Sequence, residues 1–379
     1  MKKLFLSMLA ILLCLSAFTL IACNGDDNTT TDNVTTTSGD NVTTLPPSPD
    51  CDHVEEIIKG KEPTTSNTGY TDGKKCALCG EILESQYVIP ALKFVDGFEY
   101  RLNEGDDSYT VTGIGAITDI NIVIPSEYNG LPVTSIGREA FKDCKSIKSV
   151  VIPDSVRDIE VAAFINCEGL ESINIPNGVS HINNSTFSHC EKLKIINIPS
   201  SVTYIGASAF ERCVSLTELP IGNNVTYVGF AAYSYCTGIT EVTLPDSLTD
   251  LSGAAFSDCE NLKSANLGKG IRRISNRLFY NCISLESVIT NEKITSIGES
   301  AFEYCVNLTE FEIPEGVTEI GFNVFAGCDN LSKVFANSHK EWTLSKMSAK
   351  NIKTHFTDPS DNAKKLKNDY VNYIWRIEA

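Results

Sequence analysis

Residues 296–321 read SIGESAFEYCVNLTEFEIPEGVTEIG, and every apolar residue in that stretch recurs elsewhere at a spacing of 23. The aromatic of the central AF-x-x-C motif returns as Phe141, Phe164, Phe187, Phe210, Tyr233, Phe256, Phe279, Phe302 and Phe325. Its cysteine returns as Cys144, Cys167, Cys190, Cys213, Cys236, Cys259, Cys282, Cys305 and Cys328. Working outward, Leu308 belongs to a series running from Ile147 to Leu331, Val317 to one beginning at Val156, and Ile320 to one beginning at Ile159. A fixed period of this length means stacked coils, each burying its apolar face on the next, in place of one globular core. The expected fold is therefore a repeat solenoid.

Within the unit L-x-x-V-x-I-P-x-x-V-x-x-I, the V-x-I step alternates as a strand does, and its β-branched content agrees. Val150/Ile152, Ile173/Ile175 and Val242/Leu244 show it well, and Pro153, Pro176, Pro199, Pro245 or Pro314 then ends the strand by removing a ladder donor. Gly222, Gly268 and Asn291 stand in for that proline, and Ala265 and Thr290 for larger strand residues. Pro220, inside a strand, is expected to mark a bulge or local edge. A parallel ladder between equivalent strands should link the coils.

The stretches SIGREAFKDCKSIKSVVIPDSV, YIGASAFERCVSLTEL and SIGESAFEYCVNLTEFEIPEGVTEIG resemble the BspA-type leucine-rich repeats of bacterial surface proteins over about residues 108–336. The segment TVTGIGAITDINIVIPSEYNGLPVTSIG resembles the first coil of that family, with a longer turn at Asn129-Gly130. Residues 97–133 are expected to cap the start, 134–336 to form the repeats and 337–379 to cover the last apolar layer. Both tryptophans and a helix-like run near Asn362–Tyr373 fall in that final segment.

The chain starts Met1-Lys2-Lys3, then runs apolar to Leu20-Ile21-Ala22-Cys23, which resembles a bacterial lipobox. That resemblance implies cleavage after residue 22, acylation of Cys23, and anchoring in the bacterial cell membrane with the chain on the extracellular side. An uncleaved apolar anchor is the alternative, and it leaves the remainder on the same side. Residues 23–50, Thr-rich with almost no aliphatic content, cannot bury enough to order themselves and read as a tether.

The repeated cysteines share one coil position, so their side chains run parallel. That suits packing better than disulfides. Cys51, His53, Cys76 and Cys79 differ: C-x-H followed by C-x-x-C-G can supply four tetrahedral zinc ligands. A disulfide pairing leaves one of these three cysteines over, and a Cys76–Cys79 redox pair lacks a surrounding βαβ pattern. Residues 51–93 also resemble a small zinc-ribbon-like module of surface proteins, in which Thr65 stands where another cysteine is common. Structural zinc is the one cofactor expected.

No nucleophile elbow, P-loop or zincin motif is present, and His181 and His189 lie at variable positions, so no enzyme is expected. With 48 Asp and Glu against 31 Lys and Arg, the net charge of −17 disfavours nucleic acid. The strand residues between buried ones should form an outward face of two columns. Asn174, Asn197, Thr243, Asn266, Ile289, Glu312 and Phe335 lie in one, together with Pro220. Glu218, Glu241 and Glu310 lie in the other. Repeat proteins bind partners on such faces. The resemblance implies adhesion to, or recognition of, an extracellular protein or glycan on a host or neighbouring-cell surface. Capture of glycan or peptide nutrients is the alternative, which clustered outward aromatics would favour; on these two columns there is no such cluster. A surface hydrolase would need histidine and carboxylates converging from adjacent coils.

Overall fold

In the computed structural model, the described residues are 55–60, 69–70, 73–78, 82–84, 88–89, 97–105, 107–194, 196–336, 340–346 and 349–377. They fall into two units, divided between residues 93 and 94. In the first, Glu55–Ile58, Gly73–Cys76 and Ile82–Glu84 form a three-stranded antiparallel sheet, and Gly69–Tyr70 pairs with Val88–Ile89.

The second unit is the solenoid. Its first ladder holds the expected strands, with Ser149–Val151 on Ser172–Ile173, Glu241–Thr243 on Ser264–Asn266, and Glu310–Glu312 on Lys333–Phe335, all parallel. The register is one repeat throughout: Val150 opposes Ile173, and Ala265 opposes Val288. The ladder lapses across residues 196–198 and 218–221, the two coils around Pro220, as its missing N–H requires. Pro220 is not on the outward face, however. It is buried, and its carbonyl accepts a hydrogen bond from the Tyr233 hydroxyl at 2.8 Å.

A second ladder runs alongside the first. Two-residue strands such as His181–Ile182, Tyr204–Ile205, Tyr227–Val228 and Asp250–Leu251 also pair in parallel, coil on coil. The sequence signal was weak because only the second residue of each pair is buried. Between the two ladders, Val156, Val179, Val202 and Val317 each donate an N–H to the proline three positions earlier, at 3.0 Å. That proline therefore ends one strand and turns the chain toward the next.

Inside, the nine aromatics stack at 4.9–5.8 Å between ring centres. From Cys167 to Cys328, each thiol donates to the carbonyl of the aromatic 26 residues earlier, at 3.0–3.2 Å. The cysteine is thus a bonded donor as well as a small apolar filler. Burial holds the thiols of Cys213, Cys236, Cys282 and Cys305 far above their ordinary range, and those of Cys259 and Cys328 at about 12. No disulfide joins the described cysteines.

At the start, Tyr109–Gly113 lies between Leu131–Ile136 and Glu99–Leu102, and the turn at Asn129 (φ 49°) and Gly130 (φ 77°) closes the hairpin from Glu127–Tyr128. At the end, Ile374–Arg376 pairs antiparallel with Glu319–Ile320 and with Glu341–Lys346. Trp342, Phe356 and Trp375 are buried there, with Phe356 and Trp375 stacked at 5.1 Å. The helix starts earlier than the sequence suggested, at Pro359–Lys364, because Asp358 caps it through the Ser360 and Asp361 N–H groups. From it, the Asn362 side chain donates to the Val334 carbonyl at 2.9 Å.

Candidate functional site

The first ladder presents Glu241, Thr243, Ile289, Glu310, Glu312 and Phe335 to solvent, as alternation requires, because Val242, Phe311 and Val334 between them point inward. Ile289 is 61% exposed and Phe335 41%. Asn197 and Glu218 are also exposed, on the two coils where the ladder lapses. Asn266 is half-buried, and its Oδ1 accepts the Gly268 N–H. Asn174 is exposed, but its amide is engaged: Oδ1 accepts the Ile152 N–H at 2.7 Å and Nδ2 donates to the Ile152 carbonyl at 2.8 Å. Where Ser172–Ile173 stops pairing, this side chain extends the ladder by one rung. Asn174 is therefore a structural residue, and the ones left exposed on this face are mainly acidic or apolar, with Thr243 and Asn197 the neutral polar ones.

Aromatic side chains cluster on other parts of the coil. On the second ladder His181, Tyr204 and Tyr227 form a column, with Tyr204 and Tyr227 parallel at 4.6 Å and His181 tilted over Tyr204 at 5.4 Å. Burial, then the neighbouring Tyr227, raises the Tyr204 phenol above its usual range. At the AF-x-x-C turns, Tyr235, Tyr280 and Tyr304 border a trough of about 700 Å³ with Arg277 and Phe230. Arg212 lies over the Tyr235 ring at 4.3 Å, and Tyr280 meets Tyr304 edge-on at 5.7 Å. The signal is in the sequence, since His181, Tyr204 and Tyr227 stand 23 residues apart, but the strand that turns them outward is only two residues long and shows no alternation.

Converging catalytic groups are sparse. Ser180 Oγ and His181 Nδ1 are 2.7 Å apart, and Asp158 occupies the same ladder position as His181 one coil earlier. Burial, then Glu160, raises the Asp158 carboxyl, against a hydrogen bond from Asn183 that lowers it. The three residues are exposed on an open surface and enclose no substrate.

Of the four zinc candidates, Cys51, His53 and Cys79 lie outside the described residues. Cys76 is buried, and its Sγ accepts the Leu78 N–H at 3.4 Å. An N–H donor on sulfur at this position of C-x-x-C fits a metal-bound thiolate. Cys23 also lies outside the described residues. Among those that are described, no helix is long and apolar enough to cross a membrane.

The family described as BspA type leucine rich repeat region matches residues 120–240 and 226–345, in six copies. The chain belongs to the BspA-type leucine-rich repeat family. Solved structures similar to this BspA-type protein include the Treponema pallidum leucine-rich repeat protein, 26% identical, over 63% of this chain and 91% of that one, with a TM-score of 0.41. A Bacteroides ovatus leucine-rich repeat protein is 22% identical over 65% and 91%, with a TM-score of 0.34. A leucine-rich cell surface protein of Faecalibacterium prausnitzii is 23% identical over 65% and 88%, with a TM-score of 0.32. No curated protein matches the chain. Membership in the BspA-type family fits the two-ladder coil, an extended repeat scaffold.

Proposed function

We propose that this BspA-type protein is a lipid-anchored surface protein that recognises an extracellular macromolecule through the outer face of its first ladder. The supporting observation is Ile289 and Phe335: two large apolar side chains left in solvent at one ladder position two coils apart, with Glu312 holding that position between them and Glu310 on the same strand. Large exposed apolar side chains interspersed with charge suit a partner-binding patch. The anchor reading rests on Leu20-Ile21-Ala22-Cys23 and on the tether that follows it.

The test is retention of the full chain on immobilised matrix proteins, mucins and whole cells. Ile289→Ser combined with Phe335→Ser should cut retention about tenfold, the usual cost of removing interface anchors. Absence of retention on all three, alongside turnover in a substrate screen, would replace adhesion with catalysis.

The C-x-H and C-x-x-C-G residues form a structural zinc site in the same reading. Cys51, His53, Cys76 and Cys79 would hold the ion, and it would brace a module too small to build a sizeable core.

A further inference from the structure

The trough beside Phe230 has features that the adhesion face does not use. Three arginines, Arg272, Arg273 and Arg277, fall within six residues of one coil of a chain whose net charge is −17. All three are exposed. Among the described residues, arginine ion pairs form at Arg101–Glu160 and Arg376–Glu319, and none of these three takes part in one. Their guanidinium groups are thus held on the surface without a protein anion. Arg277 lies over the Tyr280 ring at 5.4 Å, which orients its plane and leaves its donors free.

Around them the coil surface is recessed. A trough of about 850 Å³ runs past Arg273, Arg277, Asn276 and Glu299, with Phe230 and Phe322 among its lining residues. Phe230 and Phe322 occupy the same repeat position four coils apart, so at about 4.8 Å per coil they stand on the order of 19 Å from each other. Between them the position is held by Gly253, Asn276 and Glu299. A Cβ on Gly253 would come 2.8 Å from the Asn276 carbonyl oxygen and 3.7 Å from Phe230 Cδ2, so a bare coil lies at the foot of the ring. Phe230 is 60% exposed. The second trough, bordered by Tyr280 and Tyr304, shares Phe230 and Arg277 with the first.

A flat exposed ring beside unpaired guanidinium groups and an amide suits one ligand chemistry: the apolar face of a sugar ring, carrying an anionic substituent. Extended peptides dock most readily on an open sheet edge. Here Arg273–Ile274 and Ser287–Ile289 are each paired along one edge, and a neighbouring coil is stacked against the other: Ser275 Oγ donates to the Leu251 carbonyl beside the first, and Glu310–Glu312 packs beside the second. We infer that this trough binds a short anionic oligosaccharide, with Arg273 and Arg277 on its sulfate or carboxylate groups and Phe230 stacked on a pyranose face.

The experiment is calorimetric titration of the full chain, purified in detergent, with three oligosaccharides of equal length. One is heparin-derived (sulfated), one is from hyaluronan (carboxylated only) and one is a neutral maltooligosaccharide. Binding of the first alone assigns sulfate as the anion, and binding of the first two makes a carboxylate sufficient. Binding should weaken as salt is raised from about 0.05 to 0.5 M, because exposed charge pairs are screened. Arg273→Gln with Arg277→Gln should cost about tenfold or more, the worth of a charge-assisted pair. Phe230→Ser should cost about fivefold, a loss that attraction between charges alone would not produce. All three side chains are exposed, and an unchanged melting temperature confirms that the variants fold. The Ile289→Ser/Phe335→Ser variant should bind the sugar normally, so failure of the adhesion face and failure of this site are distinguishable. The inference is overturned if the neutral sugar binds equally well, if no anionic sugar binds, if Phe230→Ser keeps full affinity, or if a proline-rich peptide occupies the trough in the sugar's place.

Discussion

Tyr233 is the one tyrosine in a stack of eight phenylalanines, so Tyr233→Phe restores the repeat's own preference. Consensus reasoning would expect that change to be neutral or stabilising. The structure predicts the opposite. The Tyr233 hydroxyl donates to the Pro220 carbonyl at 2.8 Å, and both residues are buried. Pro220 interrupts the first ladder, and among the described residues no backbone N–H reaches its carbonyl. Removing the hydroxyl deletes one hydrogen bond and leaves a carbonyl without partner or water, which costs about 1–3 kcal/mol. The apolar gain of losing a buried hydroxyl does not arise, because that hydroxyl was already satisfied. Stability of stacked coils is partly local, so a global melt alone would blur the effect. Hydrogen exchange resolves it: amides of the coils holding Pro220 and Tyr233, Ile221 and Gly229 among them, should lose about 5- to 100-fold of their protection, while those near Phe302 stay unchanged. Combining Tyr233→Phe with Pro220→Thr should recover the loss, since threonine at this position, as at Thr243, can pair in the ladder. Equal protection in Tyr233→Phe and the parent would refute the pairing of these two residues.

Three other outcomes follow from the structure and the sequence. Burial raises the ladder thiols, with Cys144 at about 11 and Cys259 and Cys328 at about 12. Folded-state values above the unfolded value of about 8.5 give stability that is full below that pH and is lost as pH climbs toward 11–12, by up to about 1.4 kcal/mol per thiol per pH unit. Denaturant midpoints should therefore fall steeply above about pH 9, and a maleimide reagent at pH 7 should label Cys144 well before Cys236 in the folded chain. Purified protein should carry about one zinc, lost with Cys79→Ser; elemental analysis reads it directly, and metal-free protein with intact exchange protection at Glu55–Ile58 would count against the site. Cys23→Ser should move the chain from the membrane fraction to the medium on cell fractionation, because a lipid attached there supplies the anchoring.

The interior was legible because it is redundant. Nine turns of the AF-x-x-C type, five of them with both Ala and Phe, and the V-x-I step mark the buried aromatic column, the first ladder and its lapse at Pro220 in the sequence itself. Three things escaped for physical reasons. The second ladder uses two residues per coil, with one side chain buried, too short a run for alternation to register. The bonded role of the cysteines depends on a carbonyl 26 residues away, which spacing alone does not reveal. Asn174 reads as a surface residue in the sequence because its amide meets the Ile152 backbone only once the coils are stacked.

Each AF-x-x-C turn also holds two residues in the left-handed region. Ala231 (φ 55°) and Tyr235 (φ 60°) flank Tyr233, and Arg277 (φ 54°) and Asn281 (φ 56°) flank Phe279. Glycine or asparagine would adopt this conformation most cheaply, yet alanine, tyrosine and arginine occupy it here. The N–H groups of these turns donate along the stack, as Ala231 to Gly253, Tyr235 to Ser257 and Arg277 to Glu299 at 2.8–3.1 Å. Stacking therefore enforces the backbone, and local propensity does not choose the side chain. A position whose conformation is set by its neighbours' backbones is free to carry whatever chemistry a partner requires. This is why the turn that fixes the fold also carries Arg277 and Tyr304. It is also why the outer surface reads as scatter in the sequence while the core beneath it reads as a strict period.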